Sequence, residues 1–147
     1  TKPLQPSFQV NKNDTSQNNI ATDTAVVVTW ASERFDVNSD FDLTNNQFVA
    51  PVTGKYFLNA SIRLGQFDTS ADYYNVAVVT SNEAYRYIID PGGFSGDLTF
   101  YSMNPAVVAD MDAGDTANIT IFQSGGAAIT DMDGSSDYTY FTGHLLA

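Results

Sequence analysis

Trp30 to Leu64 reads WASERFDVNSDFDLTNNQFVAPVTGKYFLNASIRL. Its aromatic residues are separated by polar, turn-prone segments such as 42–47 and 51–53. An amphipathic helix needs apolar residues at three- and four-residue intervals, which do not persist here, whereas short strands joined by tight turns account for the spacing. The clearest strand is at 55–64, where alternate positions are apolar: Tyr56, Leu58, Ala60, Ile62 and Leu64.

The rest of the chain continues this pattern of short strands and turns. Residues 35–47 are expected to form a loop that carries buried anchors, and no helix of ordinary length is expected. About ten short strands with frequent turns predict an all-β sandwich or jelly roll. Besides 55–64, we predict strands at 8–10, 25–30, 48–50, 73–80, 85–89, 98–103, 106–109, 116–123 and 138–146.

The composition limits the class of protein. A chain of 147 residues suits one domain, and 43% hydrophobic residues suffice for a packed core. Seventeen acidic residues against six basic ones give a net charge of −11, which repels phosphate backbones and argues against nucleic-acid binding. No apolar run approaches the roughly 20 residues of a membrane-spanning helix, so membrane insertion is not expected. The absence of cysteine excludes disulfides and thiol catalysis.

The pattern at 30–64 resembles the signature of the C1q domain. That signature has an aromatic residue, an Asn or Asp, an aromatic residue, a Phe and a Gly-x-Tyr-x-Phe run at fixed distances. The chain departs from it where Trp30 replaces the usual Phe, Leu58 a second Phe and Ala60 another aromatic residue. The matching positions are Trp30, Asp36, Phe41, Phe48, Gly54 and Tyr56.

The resemblance extends through the rest of the chain. Residues 107–121 are similar to the family's strand, Gly-Asp turn and following strand, and residues 140–146 to its closing strand. The resemblance implies a two-sheet antiparallel jelly roll of about ten strands, shared with tumour necrosis factor. We expect it to span residues 8–147, with 1–7 as an N-terminal tether. The Asn-, Thr- and Asp-rich composition without cysteine favours a microbial, phage or viral member over an animal one.

The closing strand is apolar on both faces, which is typical of a strand covered on both sides. Phe141, Gly143 and Leu145 are expected to face the core. In the C1q family this strand pairs with the one at 55–64, and their sheet packs against its copies around a three-fold axis. The resemblance therefore implies a homotrimer, with Phe57 beside Tyr140. The alternative is that a loop of the same subunit covers this face. The expected trimer interface consists of Phe57, Tyr140, His144 and Leu146.

Catalysis is not expected. His144 is the only histidine and lies within a predicted strand, and no Gly-x-Ser-x-Gly elbow accompanies it. Many aspartates are available for glycoside hydrolysis, but the sequence places no two of them as an acid pair. We therefore predict a non-enzymatic protein without catalytic residues.

Two aspartate clusters are candidate calcium sites. Hard cations bind several closely spaced oxygen ligands on a flexible loop, and some C1q relatives bind calcium near the trimer apex. The second cluster lacks the Glu that closes an EF-hand, and solvated turns are the alternative for both. No cofactor is required on this interpretation. The clustered residues are Asp110, Asp112 and Asp115, then Asp131, Asp133 and Asp137.

We expect a trimeric recognition or adhesion head that binds a cell-surface protein or a glycan through its loops. Loops on a rigid sandwich carry adaptable contacts, and aromatic and cationic side chains suit such surfaces. The alternative is a structural module that trimerises and caps a fibre or surface protein. Either role places the protein outside the cell, on a cell surface or on a virion. The candidate binding residues are Tyr85, Arg86, Tyr87 and Phe94, and the candidate loops are 11–24, 66–72, 90–97 and 124–137.

Overall fold

A computed structural model describes residues 4–147 of the chain. Within that range thirteen strands form two antiparallel sheets, and the only helical element is a 3-10 turn at Pro91–Gly93. The first sheet contains β1 (Ser7–Asn11), β3 (Ser32–Val37), β6 (Gly54–Phe67), β9 (Leu98–Met103), β10 (Ala106–Met111), β12 (Asp131–Met132) and β13 (Tyr140–Leu145). The second contains β2 (Val26–Val27), β4 (Phe41–Asp42), β5 (Gln47–Val49), β7 (Tyr73–Thr80), β8 (Ala84–Ile89) and β11 (Thr116–Ser124).

The strand order sets which residues become neighbours. In the first sheet the order is β10-β6-β13-β1-β3, while β9 and β12 pair with the second half of β6. In the second sheet the order is β4-β5-β11-β7-β8, and β2 pairs with β11. The closing strand β13 therefore lies between β1 and β6, and β10 and β8 lie at the ends of their sheets.

Aromatic side chains fill the space between the two sheets. Phe8 stacks on Phe48 with ring centroids 4.7 Å apart and meets Phe141 edge-on at 4.9 Å. Such offset and edge-to-face pairs add to the stabilisation from apolar burial. The signature residues Trp30, Phe41, Phe48 and Tyr56 are all at most 6% exposed, so the spacing at 30–64 reports positions in the core.

The strands agree with the predictions at most positions and differ at three, one of which is the short β12 within the predicted loop 124–137. The run at 25–30 forms only a two-residue strand, Val26–Val27, although the Val28 N–H still donates to the Ile119 carbonyl. The loop predicted at 35–47 is wrong in part, because the end of β3 and the whole of β4 lie within this segment. β3 is an edge strand with three exposed residues, so its sequence does not show the regular alternation of apolar and polar positions that a half-buried strand has.

The first described residues lie beside the C-terminal segment. Of the tether predicted at 1–7, residues 1–3 lie outside the described range. Pro6 is buried and its carbonyl accepts a hydrogen bond from the Leu145 N–H at 3.0 Å, and β1 begins at Ser7. No helix among residues 4–147 is long and apolar enough to cross a membrane.

Candidate functional site

One face of the first sheet points away from the core and carries a row of aligned side chains. Val37, Ser7, His144, Phe57 and Val108 lie opposite one another across five neighbouring strands. Their chain neighbours on β6 and β13 point inward, where Tyr56, Leu58 and Gly143 are buried and Leu145 is half-buried, so this row faces outward. We call this surface, together with Phe35, Tyr140 and Leu146, the Phe57 face.

The Phe57 face is open to solvent. Phe35, Val108 and Leu146 are 44%, 53% and 50% exposed, and His144 is exposed beside the half-buried Phe57. Apolar side chains that share one face of a monomer typically mark an interaction surface. The sequence interpretation had not assigned Phe35 or Val108 to this surface.

The register of β13 on β6 corrects one prediction. Phe57 lies opposite His144, with ring centroids 5.7 Å apart, whereas Tyr140 lies opposite Ser61. The expected contact between Phe57 and Tyr140 is therefore wrong, because four residues of strand, roughly 13 Å, separate their positions. Leu146 follows the end of β13, where its N–H donates to the Lys55 carbonyl at 2.7 Å.

Arg63 on β6 packs against two aromatic rings beside the Phe57 face. The Arg63 guanidinium lies 3.7 Å from the Tyr138 ring centroid and 4.4 Å from that of Phe100, and it forms an ion pair with Asp133. Burial alone would raise the pKa of Asp133, but hydrogen bonds from Ser135 and Arg63 outweigh it and hold that pKa below its ordinary value. The pair thus fixes the loop before β13 against β6.

The end strands of the two sheets, β10 and β8, leave one edge of the sandwich open. A cleft of about 240 Å³ runs between these strands. Tyr85 and Tyr87 lie opposite the core residues Val78 and Val76 and point into the space between the sheets, and Tyr87 is 50% exposed. We call this surface the open edge. It is lined by Val78, Tyr85, Arg86, Tyr87, Pro105, Ala106 and Val107.

The four candidate binding residues do not form one patch. Tyr85, Arg86 and Tyr87 all line the cleft of the open edge, but Arg86 pairs with Ala77 and so also lies on the solvent side of the second sheet. Phe94 lies apart from all three, with its ring 6.1 Å from that of Phe67 and 5.9 Å from that of Tyr101.

Hydrogen bonds join the four predicted loops into one surface. Gln17 and Met132 exchange backbone hydrogen bonds, which ties loop 11–24 to loop 124–137. The Ala127 N–H donates to Asp68, and the Thr69 N–H donates to Asp97 at 2.8 Å. These contacts link 124–137 to 66–72 and 66–72 to 90–97. We call the joined loops the loop platform.

The six aspartates proposed for calcium are dispersed. Asp110 pairs with Lys55, and Asp133 pairs with Arg63. Asp115 accepts hydrogen bonds from the Asp112 N–H and the Asn82 amide, and Asp131 accepts from the Asn19 N–H. No hydrogen bond in the described part of the chain involves the Asp137 carboxylate. Residues 4–147 contain no group of three or more His, Cys, Asp or Glu side chains that could hold a metal. Calcium binding stays a prediction from the sequence, because no cluster of carboxylates among residues 4–147 supports it.

The fold has close counterparts among solved structures. No protein-family model matches the chain, and a search of curated proteins finds no match. The globular domain of zebrafish complement 1qA protein has a TM-score of 0.69 and 18% identity, covering 97% of this chain and 98% of that chain. Murine APRIL has a TM-score of 0.68 and 14% identity at pH 8.0, and 0.66 and 13% at pH 8.5. Both APRIL structures cover 97% of this chain and 99% of that chain. The predicted fold is confirmed: the chain forms the two-sheet jelly roll of the C1q and tumour necrosis factor type.

Proposed function

We propose that this jelly roll works as a homotrimeric, non-enzymatic recognition head outside the cell, on a cell surface or a virion. The observation that carries the proposal is the Phe57 face, a sheet surface with several half-exposed apolar side chains. Burying apolar surface stabilises by about 25 cal/mol per Å², so covering this face favours association.

A closed ring of three subunits would also cover the open edge. In a three-fold assembly each subunit must present two different patches, because the contact runs head to tail around the ring. The Phe57 face and the open edge are different surfaces that adjoin along β10, and both expose aromatic side chains. We propose that the open edge of one subunit, with Tyr85 and Tyr87, packs on the Phe57 face of the next.

The loop platform is the proposed recognition surface. It is built from four joined segments on a rigid sandwich, the usual location of binding residues. Three copies side by side give avidity, so each platform can bind a cell-surface protein or glycan weakly. A trimer that binds no cell surface would instead be a fibre cap.

Charge placed on the Phe57 face tests the assembly. Phe57→Asp buries an unpaired carboxylate in the proposed interface, so this variant should sediment as a monomer while the wild type sediments as a trimer. Val27→Asp is the matched control, since Val27 is 40% exposed on the second sheet. A Phe57→Asp protein that still sediments with the wild type would overturn the interface.

A further inference from the structure

A groove of about 430 Å³ lies on the solvent side of the second sheet. Strands β7, β8 and β11 form it, and Ala77 lies at its centre, between Thr120 on β11 and Arg86 on β8. We call it the Ala77 groove. Every residue that lines it belongs to one subunit, and one of them, Arg86, also lines the open edge.

The floor of the groove is hollow because its central side chain is small. Ala77 lies between Val76 and Val78, whose side chains enter the core, so its own side chain points outward. It is nevertheless only 2% exposed, because larger neighbours on both sides rise above it. A methyl group surrounded by longer side chains leaves a recess.

The walls of the groove carry polar groups that bind nothing else. Among residues 4–147, the Asn75 amide, the Thr120 hydroxyl and the Arg86 guanidinium make no side-chain hydrogen bond within the protein, and Arg86 has no acidic partner. Two other basic residues in that range, Lys55 and Arg63, each pair with an aspartate. The chain has seventeen acidic residues, yet none of them lines this groove. An unpaired guanidinium is complementary to a carboxylate, which it can bind through two parallel hydrogen bonds.

An aromatic pair closes one end of the groove. The Tyr73 and Phe122 rings are stacked, with centroids 6.0 Å apart and planes 21° apart, and both are half-buried. Aromatic faces carry partial negative charge and attract the C–H groups of a sugar ring. β8 and β11 lie two strand spacings apart, roughly 10 Å, which leaves room for one substituted pyranose between the walls.

We propose that the Ala77 groove binds an acidic pyranose, such as a uronic or sialic acid residue of a glycan. The sugar ring lies against Phe122 and Tyr73, its hydroxyl groups bond to Asn75 and Thr120, and its carboxylate pairs with Arg86. This adds a site on the sheet face that is separate from the loop platform.

The test is a titration of the isotope-labelled full chain, followed by NMR chemical shifts. The probes are the methyl glycosides of glucuronic acid, galacturonic acid and N-acetylneuraminic acid. Methyl glucoside is the control without a carboxylate, and acetate is the control without a sugar ring. We expect at least one acidic glycoside to bind in the millimolar range or tighter and to shift Asn75, Ala77 and Thr120.

Two variants and a control separate the groove from the charge of the protein. Arg86→Gln should weaken binding of the acidic glycoside at least about tenfold, because a charge-assisted bidentate contact is lost. Arg34→Gln makes the same change of charge on β3 of the other sheet and should leave the affinity unchanged. Ala77→Val adds two methyl groups to the floor and should abolish binding while the other NMR signals keep their positions.

Several results would overturn the proposal. They are no binding by any acidic glycoside, equal binding of methyl glucoside, equal effects of acetate on the groove, or equal losses in the Arg86 and Arg34 variants. Since the site lies within one subunit, Phe57→Asp monomers should bind the same probes, so failure of the groove and failure of the trimer are distinguished.

Discussion

Lys12 is a buried amine without a counter-ion, and this predicts an unusual dependence of stability on pH. It is only 1% exposed, and its Nζ donates to Gln17 Oε1 at 2.5 Å and to the Thr29 carbonyl at 2.8 Å. No carboxylate among residues 4–147 pairs with it. Burial lowers the pKa of Lys12 from 10.5 to about 8, because the charged form is poorly solvated there.

The sign follows from comparing the folded and unfolded states. Below pH 8 both states hold the proton, and the folded state carries the full cost of a buried charge. Between pH 8 and 10.5 the folded amine loses its proton first, so the unfolded state binds more protons and stability rises with pH. The two pKa values correspond to about 3 kcal/mol in total, of which about 2 kcal/mol should be recovered by pH 10. Burial raises the pKa values of Tyr56 and Tyr74 above 10.0, so these side chains reverse the trend at higher pH.

The assay is urea unfolding of wild type and Lys12→Met at fixed protein concentration from pH 7 to pH 10. The free energy of unfolding of the wild type should rise by about 2 kcal/mol relative to the variant across this range, and comparing the two removes the shared tyrosine contribution. Lys55→Met is the matched control, because Lys55 is exposed and paired with Asp110. Parallel pH profiles of wild type and Lys12→Met would refute the reasoning.

Two further substitutions test the packing of the first sheet. Gly143→Ala should lower the free energy of unfolding by about 1–3 kcal/mol, because its Cβ would lie 2.7 Å from Leu58 Cδ2, while Gly96→Ala, with nothing within 4 Å, should leave it unchanged. Equal melting temperatures for the two glycine variants would contradict this packing. Arg63→Met should cost about 3 kcal/mol and raise the pKa of Asp133, measured by NMR titration of its carboxyl carbon. An unshifted Asp133 titration would mean that the ion pair does not form in solution.

The sequence predicted the fold because the strongest signals came from residues that enter the core. Tyr56, Leu58, Ala60, Ile62 and Leu64 alternate on β6 and are all fully buried, so their period appears directly in the sequence. β3 gave no such signal, since a short edge strand that carries charged residues among its apolar ones resembles a loop. The strand prediction at 25–30 was too long for the opposite reason, because a β-branched run shows strand propensity even where only two of its residues form a strand.

The surfaces were harder to predict than the fold because they depend on register. The sequence predicted that Phe57 and His144 belong to an interface, but only the pairing of β13 with β6 shows that they are neighbours. The Ala77 groove combines side chains from three strands that are distant in sequence. Small outward-facing residues such as Ala77 carry no periodic signal that distinguishes a recess from ordinary surface.

The mass of the wild-type protein in solution tests the central claim most directly. Three copies of the 15.9 kDa chain give about 48 kDa. Sedimentation equilibrium over a range of concentrations should return that mass, with no stable dimer along the way. A mass of 15.9 kDa throughout the range would contradict the account, because the Phe57 face would then be a solvent-exposed surface of a monomer.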